Sequence, residues 1–507
     1  MDYGELVMSE STIKKILIAN RGEISCRVIH TAKLLGIKTA ALYTPEEKNS
    51  KHVQMADEAF DLGEGPLSET YLNKQKIIQI CRENKIDAIH PGYGFLSENA
   101  DFCELVEKAG LIFIGPTSEH INLMGDKITS KIKMQEIGVP VIPGYNGKDQ
   151  SLENLKKQAK IIGFPVLIKA TAGGGGKGMR IVFKEEDFLE SLESAKNEAI
   201  KSFSNGDVLI EKFITKPRHI EVQMMSDTHG NHLHFFEREC SIQRRYQKII
   251  EETPSVALND ELRSSICGDA LKITSSIGYR GAATVEFILD EDGSYYFLEM
   301  NTRLQVEHPI TEEVTGVDLV AMQIKVAEGK ELQLKQEQVY QRGHAIECRI
   351  YAEDPENNFF PTTGIVHHVG SSDLPGVRLD SGLLDGDEVT VNFDPMVAKL
   401  IVHGENREIA IAKMQKALND YPFLGLKNNR LYLKKVLNSE AFRKGDTWTN
   451  FIDDHPELFE ACEKRNFISE NSIYGLYCGG LFKRSRSDRT DGSLGEEVEN
   501  ELLKFRN

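Results

Sequence analysis

Short apolar segments alternate with helical patterns through the first 115 residues, and this alternation restricts the fold more than any other feature of the chain. Lys15–Asn20 is a strand-like run, Gly22–Gly36 has helical periodicity, and Thr39–Thr44 is again strand-like. Further short strands are predicted at Asp87–His90 and Leu111–Gly115, each after a helical pattern. Because strand–helix alternation builds parallel sheets with helical crossovers, the chain is predicted to begin with an α/β domain.

The rest of the 507-residue chain is too long for one core and is predicted to form further domains. Its character changes between Pro140 and Ile214, where a glycine run separates two strands. Strands dominate from Ile220 to Asn301, with a helix near Glu261–Ile277. Gly343–Leu458 reads as a last mixed domain. Residues 1–11 are predicted to be a loose leader, and residues 483–507 a disordered tail.

Charge and cysteine content exclude several classes of protein. The formal net charge of -17 disfavours binding to nucleic acid or to anionic membranes. The eight cysteines include no Cys-x-x-Cys pair, which argues for a reducing compartment and against a structural zinc site. No signal peptide is evident, and no stretch approaches the ~20 apolar residues of a membrane span. The sequence therefore predicts a cytoplasmic protein without membrane or nucleic-acid partners.

A glycine run at Gly173–Gly178 is the most conspicuous local motif. It satisfies the spacing of a dinucleotide-binding loop, but strand formers rather than a helix follow it. No Ser or Thr follows Lys177, so it is not a Walker A loop either. A glycine-rich hairpin lets backbone N–H groups approach a triphosphate, and Lys169 at the end of the preceding strand could add charge. The alternative is an ordinary surface loop.

Two carboxylates are predicted to face each other in a hairpin over residues 284–301. With Asp292-Gly293 as a two-residue turn, cross-strand partners have numbers that sum to 585, which places Glu286 opposite Glu299. Opposed Cβ atoms lie about 5 Å apart, and like charges there are destabilising. A divalent cation such as magnesium or manganese would reverse that repulsion. The alternative is a pair of solvated surface carboxylates.

Polar residues of mixed type continue beyond this hairpin. If the chain stays extended, one face carries an acid, an amide, a cation, an amide and an acid, at Glu299, Asn301, Arg303, Gln305 and Glu307. Such a row could hold a metal, an anion and a base together. A second basic cluster, suited to an oxyanion, comprises Arg238, Arg244, Arg245 and Lys248. Each pattern also occurs on solvated faces.

Together these segments resemble the biotin carboxylases of the ATP-grasp superfamily. The matching strings, in family order over residues 12–458, are Ile18–Glu23, His90–Asn99, the glycine hairpin, Gln243–Lys248, Glu299–His308 and Gly343–Arg349. The resemblance implies an α/β and α+β multidomain fold. Its parts would be a Rossmann-like domain at 12–126, an ATP-grasp domain at 127–330 with a hinged lid at about 141–214, and a C-terminal biotin carboxylase domain at 343–458.

The resemblance also implies the site residues. The nucleotide would be held by Lys127, Lys169, Gly175, Gly176, His219, Gln243, Tyr246 and the hinge residues Glu211, Lys212, Phe213 and Ile214. Metal ligands would be Glu286, Glu299 and Asn301. Bicarbonate would meet Lys248, Arg303, Gln305 and Val306, with Glu307 as its base and Arg349 steadying the ureido oxygen of biotin. Tyr246 stands where many relatives have His.

The implied activity is ATP- and bicarbonate-dependent carboxylation of biotin through carboxyphosphate, with Mg²⁺ or Mn²⁺. Neither Lys413-Met414 nor Lys133-Met134 has the flanks of a biotin-attachment sequence. Unless this chain is truncated, the expected partners are therefore a separate biotin carboxyl carrier protein and a carboxyltransferase subunit, with a homodimer as the expected assembly. Residues 351–359 look most like acyl-CoA carboxylase α subunits, which suggests acetyl-CoA carboxylase and fatty acid biosynthesis.

Several alternatives stay open from the sequence. The chain could belong to a methylcrotonyl-CoA, propionyl-CoA or pyruvate carboxylase, because the acceptor is chosen by a carboxyltransferase. It could be another ATP-grasp ligase that makes an acyl phosphate, although Arg349 and Lys248 argue against this. A nucleotide-binding scaffold subunit would have no need for Glu307.

Overall fold

The computed structural model describes residues 11–170, 180–203, 206–245, 247–370 and 376–459. The chain divides into two compact units, Met1–Leu458 and Phe459–Asn507, and all elements and contacts discussed below belong to the first. The predicted tail and all but the last residue of the predicted leader lie outside the described residues.

The chain opens with the predicted parallel sheet. Its elements in order are β1 Lys15–Ile18, α1 Gly22–Leu34, β2 Lys38–Tyr43, α2 Lys51–Met55, β3 Glu58–Asp61, α3 Lys74–Glu83, β4 Ala88–His90, α4 Ala100–Lys108, β5 Ile112–Phe113 and α5 Ser118–Gly125. The strand order is β3-β2-β1-β4-β5, and all neighbours are parallel. Ile16, Leu17 and Ile18 of the central strand are fully buried, because helices cover both faces.

A smaller α/β layer follows. Its elements are α6 Lys127–Glu136, β6 Gly144–Tyr145, α7 Leu152–Ile162, β7 Val166–Ala170, β8 Arg180–Val182, α8 Phe188–Phe203 and β9 Val208–Lys212. The four strands form a sheet in the order β6-β9-β7-β8, and Leu155, Ile168 and Phe188 lie in its core. We call this sheet with α7 and α8 the lid layer. The glycine run lies between paired strands β7 and β8, in the stretch 171–179 outside the described residues.

An eight-stranded antiparallel sheet dominates the remainder. The next elements are β10 Arg218–Ser226, β11 His232–Arg244, β12 Gln247–Thr253, α9 Asp260–Ser276, β13 Gly281–Leu289, β14 Tyr295–Asn301, α10 His308–Thr315, α11 Leu319–Ala327 and β15 His344–Tyr351. They are followed by β16 Glu353–Asp354, β17 Phe360–Pro361, β18 Gly364–Ile365, β19 His368–Val369, β20 Val377–Ser381, β21 Glu388–Val389, β22 Met396–Gly404, α12 Arg407–Asp420, β23 Phe423–Leu424, α13 Arg430–Asn438, α14 Glu440–Lys444 and α15 Phe451–Asp454. The sheet order is β14-β13-β10-β11-β12-β15-β22-β20.

This large sheet joins segments that the sequence suggested were separate domains. The strands up to β14 come from residues before 302, whereas β15, β20 and β22 come from residues after 343. The two groups meet where Glu251 of β12 pairs with Glu347 of β15. Residues on strands far apart in sequence therefore share one continuous sheet face.

The two faces of this sheet differ in chemistry because side chains alternate along each strand. On β10, Ile220, Val222 and Met224 pack in one apolar cluster with helix α9. Glu221 and Gln223 point to the opposite face, where they are fully buried. One face of β10 thus packs in the core with α9, whereas the other carries buried polar groups next to Met225, which belongs to a second apolar cluster.

The hairpin of β13 and β14 has the predicted pairing but not the predicted turn. Glu286 is the partner of Glu299, as expected. However, the loop is longer than two residues, since the Asp290 N–H donates to the Ser294 carbonyl at 2.8 Å. Leu289 consequently pairs with Tyr295, and an irregularity just after Glu286 restores the predicted register. The prediction of a two-residue turn at Asp292-Gly293 is therefore wrong.

In the described part of the chain, no helix is long and apolar enough to cross a membrane.

Candidate active site

A cavity of about 1130 Å³ opens over the polar face of the large sheet. The first residues of α1, the large sheet and the loop before β22 contribute to its walls. Ten of the site residues implied by the resemblance line it: His219, Gln243, Lys248, Glu286, Glu299, Asn301, Arg303, Gln305, Val306 and Arg349. The structure therefore brings together residues from six strands and one loop.

Glu286 is the most heavily contacted carboxylate of the cavity. One oxygen accepts from Asn301 at 2.9 Å and lies 3.1 Å from the Lys248 ammonium. The other lies 2.8 Å from Nε2 of His219, whose Nδ1 is 2.6 Å from the Gln243 amide nitrogen. Burial alone would raise the pKa of Glu286, but Lys248 and His219 hold it well below its ordinary value. Glu286 is therefore ionised.

The donor set around Glu286 fits a hard divalent cation. Glu286 and its cross-strand partner Glu299 offer carboxylate oxygens. Asn301, on the same strand as Glu299, adds an amide oxygen, which accepts from Arg303 here while the amide nitrogen donates to Glu286. These are the ligand types that magnesium and manganese prefer. His219, Glu221 and Glu286 can also bring ligand atoms within 4.8 Å of one another, all three being buried.

Lys248 is the hub of the buried charges. Its ammonium lies 2.5 Å from Glu221, 3.1 Å from Glu286 and 2.7 Å from Glu307. Burial opposes the charge, but the three carboxylates raise the pKa of Lys248 well above its ordinary value. Lys248 is thus a permanent cation surrounded by acceptors.

Glu307 is held between two cations. One of its oxygens meets Lys248, and the other accepts from Nη2 of Arg349 at 2.7 Å. Its side chain is fully buried, yet Lys248 and Arg349 outweigh that burial and keep its pKa well below the ordinary value. Glu307 therefore carries a full negative charge directly beside the residues that line the cavity.

Arg349 is shared with a second buried carboxylate. Its Nε donates to Glu251 at 2.6 Å while Nη2 also bonds Glu307. Because Glu251 is fully buried and close to Glu307, its pKa is raised to about 7 despite the attraction of Arg349. The guanidinium is consequently fixed in one orientation by two acids.

The polar row beyond β14 is present, but it is not a continued strand. The strand ends at Asn301, and the chain then turns toward α10. Arg303 nevertheless reaches both neighbours in the row, with 3.0 Å bonds to the side-chain oxygens of Asn301 and Gln305. Gln305 in turn donates to Glu286 at 3.1 Å. Side-chain hydrogen bonds thus hold the row together where strand geometry no longer does.

Residues assigned to the nucleotide lie partly in the lid layer. Lys169 of β7 and Lys131 of α6 both bind the Glu211 carboxylate of β9, at 2.5 and 2.8 Å. Burial opposes ionisation of Glu211, but these two lysines hold its pKa below the ordinary value. Lys131 was not named from the sequence.

The hinge residues after Glu211 make contacts within the protein. Lys212 directs its ammonium to the carbonyls of Gly163 and Phe164 at 3.2 and 3.1 Å. The Phe213 N–H donates to the Pro165 carbonyl at 3.0 Å, and Ile214 is buried. The hinge is thereby attached to the loop that precedes β7.

Four residues named from the sequence cannot be placed by their side chains. Gly175, Gly176 and Tyr246 lie outside the described residues. Lys127 is the first residue of α6, but its side chain is also outside them.

The expected basic cluster does not form a single anion site. Arg238 is fully buried and bonds Glu221, Gln223, Thr284 and Thr311. Arg244 instead pairs with Glu353 at 2.7 Å, and Arg245 bonds Asn358 at 3.3 Å. Lys248 and Arg245 line the cavity, whereas Arg238 and Arg244 do not, so the four residues do not form the single oxyanion cluster that the sequence suggested.

Sequence reasoning missed Glu221 and Glu251, the carboxylates that orient Lys248 and Arg349. A signal for Glu221 existed, since polar residues alternate with apolar ones at His219, Glu221 and Gln223. No comparable signal marked Glu251, because its importance depends on the pairing of β12 with β15.

Comparison with known proteins assigns the three parts of the chain. Residues 12–121 match the biotin carboxylase N-terminal domain, 126–335 the ATP-binding domain of the carbamoyl-phosphate synthase L chain, and 347–454 the biotin carboxylase C-terminal domain. The chain is 51% identical over 485 residues to the mitochondrial methylcrotonoyl-CoA carboxylase α subunit of Mus musculus, covering 95% of this chain and 67% of that protein. Over the first six such α subunits the chain spans 60% to 67% of their length.

A bacterial relative is matched over almost its whole length. The small subunit of 2-oxoglutarate carboxylase from Hydrogenobacter thermophilus is 46% identical over 453 residues, 89% of this chain and 96% of that protein.

Solved structures give the same assignment. The biotin carboxylase subunit of a pyruvate carboxylase has a TM-score of 0.84 and 48% identity, covering 89% of this chain and 100% of that one. The H. thermophilus biotin carboxylase domain, solved as a dimer with MgADP, ADP and bicarbonate, has a TM-score of 0.79 and 46% identity, over 89% and 99% of the two chains. On its domains, its relatives and its fold, the chain belongs to the biotin carboxylase family.

Proposed function

We propose that this chain uses ATP and bicarbonate to carboxylate biotin, the first half-reaction of a biotin-dependent carboxylase. The observation that carries the proposal is the placement of Glu307. An ionised carboxylate is clamped between Lys248 and Arg349 beside a polar cavity. One proton acceptor thereby lies between a cation suited to bicarbonate and a cation suited to biotin.

Bicarbonate is proposed to bind among Lys248, Arg303, Gln305 and Val306. Bicarbonate is a poor nucleophile, so it must be oriented and deprotonated before it attacks the γ-phosphate of ATP. Lys248 and Arg303 supply positive charge, and Glu307, kept ionised by its neighbours, accepts the proton. Holding the reactants in place replaces a costly bimolecular encounter.

ATP is proposed to lie between the lid layer and the large sheet. Lys127, Lys169 and the glycines at 175 and 176 would meet its phosphates, and the hinge Glu211–Ile214 its adenine. Glu286, Glu299 and Asn301 would hold Mg²⁺ or Mn²⁺, which supplies charge neutralisation for the phosphates. His219 and Gln243 would also contact the nucleotide, and His219 bonds Glu286 of the metal set directly. Tyr246 belongs to the same proposed nucleotide contacts.

Biotin is proposed to react on the Arg349 side of the cavity. As a proton leaves the ureido group, its oxygen gains negative charge, which a fixed guanidinium stabilises. Glu251 and Glu307 already hold Arg349 in position, so little reorganisation is needed. The carboxyphosphate formed first is labile, and closure of the lid layer would exclude water.

The proposed partners follow from the relatives. The α subunits matched here are parts of multi-subunit carboxylases, which supports a biotin carboxyl carrier and a carboxyltransferase as partners. Methylcrotonoyl-CoA carboxylase subunits support a branched acyl-CoA acceptor better than acetyl-CoA and fatty acid biosynthesis.

We also propose a homodimer. Several relatives are named as mitochondrial, so the cytoplasmic location stays a prediction.

The test is ATP cleavage by purified chain with magnesium, with and without bicarbonate and free biotin. We expect cleavage to require bicarbonate and to yield carboxylated biotin. An ATPase rate that ignores bicarbonate would overturn the proposal. Bicarbonate-dependent cleavage without transfer to free or carrier-bound biotin would favour a different ATP-grasp ligase.

A further inference from the structure

A lysine that no motif singled out lies beneath the proposed bicarbonate site. Lys399, in the middle of β22, has a fully buried side chain. Its Cα is paired with that of Arg349 on β15, so both side chains leave the same sheet face. Burying an ammonium is costly unless strong acceptors surround it, so its partners indicate what it does.

The partners of Lys399 come from three distant segments. Its ammonium donates to the Val306 carbonyl at 2.8 Å. It also lies 3.3 Å from Glu23 of α1 and 3.7 Å from Asp380 of β20. Asp380 is already bound by two 2.9 Å bonds from Arg378, and Glu23 is the nearer of the two carboxylates to Lys399. Burial raises the pKa of Glu23, an effect that Lys399 opposes.

The Val306 carbonyl lies in the loop between β14 and α10, directly before the proposed base Glu307. It belongs to the peptide that joins Val306 to Glu307, and its orientation therefore sets where the Glu307 side chain begins. The preceding carbonyl, that of Gln305, lies 2.8 Å from Nδ1 of the fully buried His308. Two consecutive peptide planes are thus fixed from below by buried side chains.

One further acid, Glu347, completes the surroundings of Lys399. Glu347 of β15 is fully buried and lies near Lys399, Glu251 and Arg349. Burial raises the pKa of Glu347 well above its ordinary value, and neither of its side-chain oxygens has a hydrogen-bond partner in the described part of the chain. Glu23 accepts a hydrogen bond from Tyr93, a residue that lines the cavity.

We propose that Lys399 is a positioning residue for bicarbonate: it fixes the Val306 carbonyl and so the loop of residues 305–307. The inference rests on the proposed function, because it needs bicarbonate at this loop. Lys399 does not line the cavity, so it acts through the loop rather than on the substrate.

The experiment compares Lys399→Met with a matched lysine. Lys413 also donates to a backbone carbonyl, that of His403 at 2.7 Å, but lies on α12. We expect Lys399→Met to raise the KM for bicarbonate about 10- to 100-fold, the range for loss of a hydrogen bond to a charged group. The KM for ATP should stay within about twofold, and Lys413→Met should change neither constant.

A second variant separates the loss of the bond to Val306 from destabilisation by an unbalanced buried charge. Removal of Lys399 leaves Glu23 buried without its counter-charge, which can destabilise the fold. Lys399→Met combined with Glu23→Gln keeps the local charge balanced but still lacks the bond to Val306. Its bicarbonate KM should exceed that of Glu23→Gln alone by the same factor.

Each outcome is decisive. An unchanged bicarbonate KM in folded protein, or equal rises in the KM for bicarbonate and for ATP, overturns the positioning role alone. Failure of both variants to fold shows that Lys399 serves the fold and also overturns it. Wild-type protein whose ATP cleavage ignores bicarbonate overturns the proposed function, and this inference falls with it.

Discussion

The lid layer and the large sheet each hold a glutamate against cations, but with opposite results. In the lid layer, Glu211 meets Lys169 of the same layer and Lys131 of the neighbouring helix α6, and its pKa falls below the ordinary value. In the large sheet, Glu251 shares Arg349 with Glu307, is completely buried, and has a pKa raised to about 7. The ratio of cations to acids and the depth of burial set the protonation state, rather than the presence of an ion pair.

This contrast suggests a division of labour. Lys169 and Lys131 are about one-third exposed and share a single carboxylate, so positive charge is left over that can attract an incoming polyphosphate. The charges of the large sheet are buried and interlocked, and they form a site whose electrostatics are fixed before substrate arrives. Substitutions should therefore affect chemistry most in the sheet.

The largest effect is expected for Glu307→Gln. Glutamine keeps the size and hydrogen bonding of the side chain but removes the proton acceptor between Lys248 and Arg349. Bicarbonate-dependent ATP cleavage and biotin carboxylation should fall together by about 10²–10⁴-fold. Steady-state rates of both reactions measure this, with circular dichroism as the check on folding. If ATP cleavage survives, the base lies elsewhere.

The next effect should separate the two half-reactions. Arg349→Gln removes the guanidinium where negative charge develops on biotin, and we expect carboxylation to fall by about 10²-fold. Biotin-independent ATP cleavage should fall much less, because Lys248 still holds Glu307. Equal losses in both reactions would contradict the separate roles of Glu307 and Arg349. Thermal unfolding of the variant shows whether a structural defect contributes.

The sequence predicted local pairings better than distant ones. Glu286 and Glu299 were placed opposite each other from a single hairpin, since register follows from local spacing. The turn was nevertheless misjudged by one residue, and the irregularity after Glu286 compensated for it. A local pattern can therefore give the correct pairing even when the turn that defines it is wrong.

Contacts between residues that are distant in sequence could not be predicted from local sequence patterns. The contact between Arg349 and Glu251 exists because β15 pairs with β12, about 100 residues earlier. Nothing in the spacing of either strand specifies that pairing. Lys399 was invisible for the same reason, since its partners come from α1, β20 and the loop before α10. The parallel sheet, by contrast, was evident because its strands and helices alternate locally.

A smaller effect is expected at the proposed metal site. Glu299→Gln removes one charge from the oxygen set but keeps its shape, so the magnesium concentration for half-maximal ATP cleavage should rise about tenfold. Titration with Mg²⁺ and Mn²⁺ measures the shift. Glu291→Gln, in the exposed hairpin loop, is the matched control and should leave the titration unchanged. An unaltered magnesium requirement in Glu299→Gln would remove this residue from the metal set.

The smallest effect tests the contrast between Glu211 and Glu251 directly. The folded-state pKa of Glu251, about 7, lies above that of an exposed glutamate, so folding favours its protonated form. Its contribution to stability is therefore complete at low pH and is lost as pH rises to about 7. Glu251→Gln should remove this loss, which makes stability less pH-dependent by at most about 1.4 kcal/mol per pH unit.

Glu211→Gln should change the pH dependence of stability in the opposite direction, and it serves as the control. The pKa of Glu211 is lowered, so its stabilising contribution is present above the pKa of an exposed glutamate and is lost as pH falls below it. Urea unfolding of wild type and both variants between pH 4 and 8 separates the two windows. If Glu251→Gln retains the wild-type slope between about pH 5 and 7, Glu251 is already ionised there. The two carboxylates would then not differ, and the proposed effect of sharing one arginine between two buried acids would be wrong.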